Sequence, residues 1–491
     1  MQFLERVSVM TLCAASLLAA DARAADPQKQ EGSDKIPVTT SSEEARQLYL
    51  KGRDLTEKLR ATDARRHFEQ AAAKDKTFAL AQVGLANSAG SAKEFFDAVK
   101  NAVALADKAS EPERLMILGL DAGVKGDVAG QRALYTKLTT SYPKDERGYN
   151  LLGGHYFGQQ DYAAAVAAFQ KAAAINPSFS PPYNLLGYSY RFMGKYAEAE
   201  QAFKKYIDLI PNDPNPYDSY AELLMKMGRF EDSIRNYEKA LSVDPNFVAS
   251  YVGIGCNQVF MGRGEEARKT YAKLASVARN DGEKRQALFR TALSYVHDGA
   301  TDKALVEVQK MAAIAEAGQD MATLSGDQNL MGNILLEAGR PEPALEKFAK
   351  QVEAMEKASV PAEVKEAVKR NALYDQARVA LAKKDLPTAR ARAETYAGLV
   401  ATKKIPFELR QQHELAGRIA LETKDHATAA AELEQANQQD PRVLYLLAVA
   451  LQGKGDKARA TEVCTRAADF NGIAPNYAFV RSRAKQMLAK S

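Results

Sequence analysis

The sequence predicts an all-α solenoid, in which helical hairpins stack one after another along the chain. Between about 146 and 247, three adjacent blocks repeat one pattern of large and small residues with a period of 34 residues. A period of this length is typical of units that each form one hairpin and bury their apolar faces against their neighbours. Residues that favour helices (Ala, Leu, Lys and Glu) are abundant, and no segment alternates as a strand bounded by turns would.

The first block shows how the repeated positions form a hairpin. Tyr149, Leu152 and Tyr156 are three or four residues apart, so they share one face of a helix. Glycine inside a helix costs about 1 kcal/mol relative to alanine, so Gly153 indicates that a neighbouring helix approaches closely. Pro177 ends the second helix. The repeated positions are Tyr149, Leu152, Gly153, Tyr156, Ala165, Phe169 and Pro177, then Tyr183, Leu186, Gly187, Tyr190, Ala199, Phe203 and Pro211, then Tyr217, Tyr220, Ala221, Leu224, Ser233, Tyr237 and Pro245.

This pattern resembles the tetratricopeptide repeat (TPR) family, in which an aromatic residue, Leu-Gly and Tyr are followed by Ala, Phe and Pro. Tyrosine takes the opening aromatic place here, because the chain contains no tryptophan. Carried outward with weaker anchors, the same register predicts about twelve units. The resemblance implies a right-handed superhelical solenoid, with the first helix of each unit lining a concave groove.

We predict five segments along the chain. A signal peptide covers 1–24 and a disordered tether covers 25–42. An N-terminal TPR array covers 43–281 and is most regular at 146–247. A degenerate TPR-like array follows at 282–474, where the spacing of the anchors becomes longer. The last segment, 475–491, has no partner block and is predicted to be a helix that caps the final apolar face.

The N-terminal segment predicts export. Val7 to Ala20 form an apolar run that is shorter than the roughly 20 residues needed to span a bilayer. Ala22, Arg23 and Ala24 follow as a small-x-small cleavage signature. We therefore expect a cleaved signal and a mature protein in the bacterial periplasm, without a membrane span. Retention of the segment as an anchor, or its burial as a first helix, is the alternative.

Composition and spacing argue against a nucleic-acid partner and against an intramolecular disulfide. The formal net charge of +5 is spread over 491 residues, and no Lys/Arg block marks a nucleic-acid surface. Cys256 and Cys464 lie several units apart, whereas bonded cysteines need Cα atoms within about 7 Å, so no disulfide is expected between them.

The sequence contains no recognisable catalytic, metal or cofactor motif. None of the five histidines (His67, His155, His297, His413 and His426) forms a His-Glu-x-x-His pair or a Cys/His cluster with zinc spacing. There is no phosphate-binding glycine loop and no Gly-x-Ser-x-Gly elbow. We predict no metal, no cofactor and no enzymatic activity.

A row of polar residues is the first candidate binding site. Asn150, Asn184 and Asp218 each follow the opening tyrosine of a block, and Val252 takes this place in the next unit. An amide both donates and accepts hydrogen bonds, so such a row can hold the backbone of an extended peptide. The alternative is that these side chains bond to neighbouring helices.

Apolar residues further along the same helices are the second candidate. They are Phe157, Tyr188, Phe192, Met225 and Phe260. Aromatic and methionine side chains at these places can form pockets for an apolar peptide or helix face. The alternative is ordinary packing between units.

The preferred functional interpretation is a non-catalytic, exported TPR scaffold that binds a protein or peptide in its groove, in cell-envelope assembly or secretion. A regulator or sensor of an envelope enzyme is the alternative, and an enzyme with an unrecognised site is a remote third. The sequence leaves the identity of the partner and the oligomeric state open.

Overall fold

The architecture is a series of antiparallel helix pairs. The computed structural model describes residues 35–58 and 60–490, so the predicted signal peptide (1–24) and the tether up to residue 34 lie outside the described residues. Within the described ranges the chain forms 25 α-helices and no strand. They form twelve consecutive pairs and one final helix, which confirms the predicted all-α solenoid of about twelve hairpins.

The helices have the following bounds. The first six pairs are α1 (Glu43–Glu57) and α2 (Ala61–Lys74), α3 (Ala79–Asn87) and α4 (Ala92–Ala104), α5 (Glu111–Lys125) and α6 (Val128–Ser141), α7 (Glu146–Gly158) and α8 (Tyr162–Ile175), α9 (Pro181–Phe192) and α10 (Tyr196–Leu209), α11 (Pro214–Lys226) and α12 (Phe230–Val243). The next six are α13 (Val248–Phe260) and α14 (Gly264–Val277), α15 (Asp281–His297) and α16 (Thr301–Ala317), α17 (Met321–Glu337) and α18 (Pro341–Lys357), α19 (Ala362–Ala382) and α20 (Leu386–Lys403), α21 (Pro406–Glu422) and α22 (His426–Gln435), α23 (Pro441–Lys454) and α24 (Lys457–Ala468). The final helix is α25 (Pro475–Leu488), and a short 3-10 helix covers Ala106–Lys108.

The described chain divides into two compact units. The N-terminal unit comprises residues 35–223 and 239–247, and the C-terminal unit comprises 224–238 and 248–490. The division therefore falls near α11 and α12, whereas the spacing of the sequence pattern changes near 281.

Aspartate begins the second helix of several pairs. The side chain of Asp161 accepts a hydrogen bond from the Ala164 N–H at 3.1 Å, and Asp127 accepts one from the Gly130 N–H at 2.8 Å. The first N–H groups of a helix have no partner within the helix, so these carboxylates satisfy them and define where the helix starts. Turns between the two helices of a pair include glycines at positive φ, such as Gly194 at +74°.

The repeated glycines allow an aromatic ring to pack against the first helix. A Cβ at Gly153 would lie 2.5 Å from Cε1 of Phe169, and a Cβ at Gly187 would lie 2.5 Å from Cε1 of Phe203. Both phenylalanines have no exposed area. The close approach that the sequence predicts at Gly153 is therefore present, and the ring on the second helix of the same pair makes it.

The final helix α25 contacts more than the last pair. It packs on α23 and α24, as a capping helix would, and it also packs on α15 of the same C-terminal unit. Tyr477, Phe479 and Val480 on α25 are all buried. The helix therefore covers part of an earlier pair as well as the end of the array.

Replacing Gly153 by alanine tests the close packing. In Gly153→Ala the added methyl group meets the buried ring of Phe169, and overpacking of this kind costs about 1–3 kcal/mol. We expect the free energy of unfolding, measured by urea titration, to fall by that amount. Gly158→Ala is the matched control on the same helix, because nothing lies within 4 Å of its added Cβ. The control should be neutral or slightly stabilising, and equal losses in both variants would contradict the packing role of Gly153.

Candidate functional site

The predicted polar row lies on three successive first helices, below the surface. Asn150 on α7 is 0% exposed, Asn184 on α9 is 6% exposed, and Asp218 on α11 is 7% exposed. The Oδ1 atom of Asn184 has no hydrogen-bond partner. The spacing of the row is as the sequence predicts, with one residue per pair, but neighbouring groups must move before an added peptide can contact these side chains.

Two of the predicted aromatic residues pack together in the N-terminal unit. The ring centroids of Phe157 and Phe192 are 5.7 Å apart. Tyr162 completes the group, because its ring stacks on Phe192 at 5.0 Å and contacts Phe157 at 5.5 Å. The structure thus brings Phe157 and Phe192 together and adds Tyr162, which the sequence analysis did not select.

Tyr188 is joined to this group through a charged pair. Its hydroxyl donates to Glu222 Oε2 at 2.8 Å, and Arg191 forms an ion pair with Glu222 at 2.6 Å. The Arg191 guanidinium also lies over the rings of Tyr188 and Phe192, at 4.8 and 4.9 Å from their centroids. Burial raises the pKa of Tyr188 well above its usual value, so the hydroxyl remains a hydrogen-bond donor to Glu222.

Met225 and Phe260 belong to the C-terminal unit, and both are buried. Met225 has no exposed area. The ring of Phe260 packs against Tyr477 of α25 at 5.2 Å and against His297 at 5.9 Å, and Arg481 donates to the Phe260 carbonyl oxygen. The final helix therefore occupies the surface that the sequence analysis assigned to a partner at Phe260.

Burial also changes the pKa of His297, which packs against Phe260. It lowers the pKa of His297 to about 3, and the neighbouring Arg481 acts in the same direction. A histidine with this pKa is neutral near pH 7. His297 is thus an uncharged packing residue against Phe260 and α25.

A cluster of charges in the C-terminal unit was not predicted. Glu337 at the end of α17 lies 3.4 Å from Arg378, 3.9 Å from Arg442 and 2.8 Å from Arg483, all nitrogen-to-oxygen distances. Burial opposes ionisation of Glu337, but the arginines outweigh it and lower its pKa to about 2. The four residues come from four different helices without any common spacing, so periodicity could not reveal them.

The segment before α1 is ordered along residues that were predicted to be a disordered tether. Residues 35–41, which we call the strap, lie against the N-terminal unit, with Ile36 4% and Val38 8% exposed. The sequence carries a signal for an extended chain here, because Ile36 precedes Pro37 and is kept out of the helical region, and β-branched Val38, Thr39 and Thr40 follow. For 35–42 the prediction of disorder is wrong, because buried side chains and hydrogen bonds hold the segment.

Three carboxylates hold the backbone of the strap. Asp145 Oδ2 accepts from the Ile36 N–H at 2.7 Å, Glu113 Oε1 accepts from the Thr39 N–H at 2.7 Å, and Asp75 Oδ2 accepts from the Ser41 N–H at 2.9 Å. Asp145 is the N-cap of α7 and Glu113 lies in the first turn of α5, whereas Asp75 directly follows α2, in the turn that leads to α3. The strap thus crosses the starts of α7 and α5 and the turn before α3, in the order opposite to that of the pairs.

Each of these carboxylates uses its other oxygen for local structure. Asp75 Oδ1 accepts from the Thr77 N–H at 2.8 Å, Glu113 Oε2 accepts from the Ser110 N–H at 2.8 Å, and Asp145 Oδ1 accepts from the Arg147 N–H at 2.9 Å. Local turns and caps therefore position the carboxylates independently of the strap. Hydrogen bonds from Thr40, Thr77 and Ser41 outweigh burial and hold the pKa of Asp75 below its usual range.

Side chains of the strap make further contacts. Lys35 forms an ion pair with Glu146, and the guanidinium of Arg147 donates to the Ile36 carbonyl oxygen. At the other end, the Thr40 and Ser41 hydroxyls donate to Asp75 Oδ2 at 2.6 and 3.0 Å.

Comparison with known families identifies the repeats. Models of the tetratricopeptide repeat match residues 156–223, residues 118–178 and 252–321, and residues 215–247. These segments cover the regular centre and parts of both units. The matched segments are tetratricopeptide repeats, as the resemblance to that family predicted. No curated relative matches the sequence.

Several solved structures are similar to parts of this chain. A tetratricopeptide repeat protein from Parabacteroides merdae is 17% identical, with 54% of this chain and 99% of that chain covered and a TM-score of 0.36. The MamA protein is 23% identical, with coverage of 36% and 94% and a TM-score of 0.29. YrrB, described as a TPR protein with an unusual peptide-binding site, is 19% identical, with coverage of 37% and 91% and a TM-score of 0.26. The family assignment therefore depends on the repeat matches.

Neither a membrane-spanning helix nor a metal-binding cluster is found among the described residues. Across 35–58 and 60–490, no helix combines the length and apolar character that a membrane span requires. In the same ranges, no group of three or more His, Cys, Asp or Glu side chains is placed to hold a metal ion.

Glu337→Gln tests the charge cluster. The variant removes a carboxylate that faces three arginines, of which Arg378 keeps Asp375 at 3.0 Å and Arg442 keeps Asp440 at 3.4 Å. Breaking a buried pair so that a charge loses its partner costs about 3–5 kcal/mol. Glu337 is 13% exposed, so we expect a loss near the lower end of that range in urea unfolding. Glu342→Gln is the control, because Glu342 is 66% exposed and pairs with Lys383 at 3.4 Å; it should change stability by less than about 1 kcal/mol.

The same variant has a defined pH dependence. The pKa of Glu337 is about 2 in the folded protein and 4.5 without the fold, so between these values the unfolded chain binds more protons. The stabilisation from Glu337 is therefore present above pH 4.5 and is lost as the pH falls toward 2. The difference between wild type and Glu337→Gln should be smaller at pH 3 than at pH 6. An unchanged difference would contradict the low pKa.

Proposed function

We propose that this protein is a non-catalytic, exported scaffold of the bacterial cell envelope that binds an extended segment of a partner protein. One observation carries the proposal: three carboxylates of the N-terminal unit, at the starts of α7 and α5 and in the turn before α3, hold the backbone of an extended segment, the strap. The contacts are to backbone N–H groups, and every residue of a peptide except proline has one.

The spacing of the repeats suits an extended peptide. From Ile36 to Ser41 an extended chain rises roughly 16 Å, at about 3.3 Å per residue. Packed helices are about 8–10 Å apart, so three successive first helices span roughly 16–20 Å. An extended chain therefore meets a new carboxylate every two or three residues, as Ile36, Thr39 and Ser41 do.

The family supports the same class of function. Tetratricopeptide repeat proteins are generally non-catalytic scaffolds for protein interaction. A rigid array of repeats displays a long surface, and specificity comes from the side chains placed on it. The aromatic group of Phe157, Tyr162 and Phe192 adds an apolar surface in the same unit.

The buried row of Asn150, Asn184 and Asp218 remains a proposed part of the groove. Because the row is buried, a partner reaches it only by opening the unit. The Oδ1 atom of Asn184 has no hydrogen-bond partner, so it is able to accept a hydrogen bond from a bound peptide.

Export is tested by the N-terminus of the mature protein. When the full chain is produced in a bacterium and the periplasmic fraction is isolated, mass spectrometry should find a mature form that begins near Ala25. A substitution of Ala24 by arginine is the control, because a bulky charged residue at the cleavage position should block processing. Recovery of the protein only from the cytoplasm, with Met1 intact, would overturn the proposed location.

Photocrosslinking tests partner binding. A photoreactive residue replacing exposed Lys76, next to Asp75, should form discrete adducts with a partner protein in the periplasm, because it lies beside the strap contacts. Lys357 is the matched control, since it is 61% exposed and lies in the C-terminal unit. Adducts of equal yield from both positions, or from neither, would contradict a binding site at the starts of the first helices.

A further inference from the structure

The carboxylates that hold the strap are also held by their own local structure. Asp75, Glu113 and Asp145 are each oriented by a local turn or cap through one oxygen, and each presents the other oxygen to the strap. Preformed acceptors lower the entropy that a bound chain loses, because only the ligand has to be ordered. The site is therefore suited to exchange one extended chain for another.

We propose that the strap is a built-in competitor for the partner peptide, and that the partner carries the same side-chain pattern as the strap. The pattern is a basic residue, an apolar residue, any residue, an apolar residue, any residue, and two hydroxyl residues. This inference rests on the proposed function and names the class of peptide that the site accepts.

The first positions of the pattern follow from charge and burial. Lys35 pairs with Glu146, whose side chain is only 1% exposed, and Glu146 also accepts from the Asn176 side-chain amide at 3.0 Å. Ile36 and Val38 are buried, whereas the intervening Pro37 is half-buried. An extended chain points alternate side chains to the same side, which explains why the two buried residues are two positions apart.

The last positions follow from hydrogen bonding. The Thr40 and Ser41 hydroxyls both donate to Asp75 Oδ2, whereas Thr39 is exposed. Apolar residues at the places of Thr40 and Ser41 would leave a charged acceptor with fewer hydrogen bonds, which costs binding energy. Position 39 contributes only its backbone N–H to Glu113 and is free to vary.

The negative charge of the site also discriminates against peptides with an acidic residue at the place of Lys35. The groups that contact the strap include the carboxylates of Asp75, Glu113, Asp145 and Glu146 and the guanidinium of Arg147. An acidic residue at the place of Lys35 would meet Glu146 as a like charge, and such pairs discriminate against wrong partners. We therefore expect a peptide with glutamate at this place to bind much more weakly.

The strap weakens binding of a partner by competing within the same chain. A segment joined by a short linker has an effective concentration on the order of millimolar, so a free peptide at micromolar concentration reaches only the fraction of molecules whose strap is displaced. Release of the strap should therefore increase the apparent affinity for the peptide by about tenfold or more.

The test uses the mature protein and a fluorescent peptide with the strap sequence, Lys-Ile-Pro-Val-Thr-Thr-Ser-Ser. The variant Ile36→Asp with Val38→Asp releases the strap, because it places two carboxylates in buried apolar positions and leaves the acceptors intact. Fluorescence anisotropy should show at least about tenfold tighter binding to the variant than to wild type. The same peptide with glutamate in place of its lysine is the matched control and should bind at least about tenfold more weakly.

A second measurement avoids any effect of the substitutions on folding. In the wild-type protein, an excess of unlabelled peptide should accelerate hydrogen exchange at the amides of Ile36, Thr39 and Ser41, because the peptide displaces the strap that protects them. Unchanged exchange together with equal affinities in wild type and variant would overturn the inference. A wild-type dimer that the peptide dissociates would assign the site to the strap of a second copy, and would also overturn a foreign peptide as partner.

The outcomes separate this inference from the proposed function. Adducts at Lys76 without peptide binding would reject the peptide class and leave a scaffold that recognises another feature. Peptide binding without adducts at Lys76 would support the site and its pattern, and would reject the envelope partner that the proposed function requires.

Discussion

A single hairpin of this chain exposes one apolar side that it cannot bury alone, and its burial against the neighbouring pair is the constraint on which the structure depends. The glycine-to-ring contacts express it, because Phe169 and Phe203 fill the space that a side chain at Gly153 or Gly187 would occupy. Since the same contact recurs one period later, successive first helices take equivalent positions within the unit. Their starts then form a row, and that row is where the strap binds.

The row acquires its chemistry from the way helices begin. A helix start needs acceptors for its free N–H groups, and Asp145 and Glu113 accept from backbone N–H groups at the starts of α7 and α5 through one oxygen each. Asp75 accepts in the same way from the Thr77 N–H in the turn before α3. Because the carboxylate is already fixed in place, its second oxygen points in a defined direction without a further loss of conformational entropy. A carboxylate that caps a helix or a turn thereby also binds an extended chain.

The two units use the terminal segments of the chain differently. In the N-terminal unit an extended strap lies across the helix starts, whereas in the C-terminal unit helix α25 packs on α15, α23 and α24 and covers Phe260. The interior of the C-terminal unit is also charged, with Glu337 surrounded by arginines. Buried charges of this kind contribute little net stability but penalise any packing that separates them. The surface at Phe260 is thus covered by a packed helix, whereas the N-terminal site is covered by an extended strap held through hydrogen bonds.

The sequence by itself determined the class of fold, the pairing of helices and the close packing at Gly153, because these depend on local periodicity and on single residues that only one geometry explains. It also placed Asn150, Asn184 and Asp218 on successive first helices. Only the tertiary structure decided that this row is buried, that Phe260 is covered by α25, and that residues 35–42 are ordered. The physical reason is that the strap contacts join residues up to 111 positions apart and the contact of α25 with Phe260 joins residues 221 apart, and such contacts leave no period in a sequence.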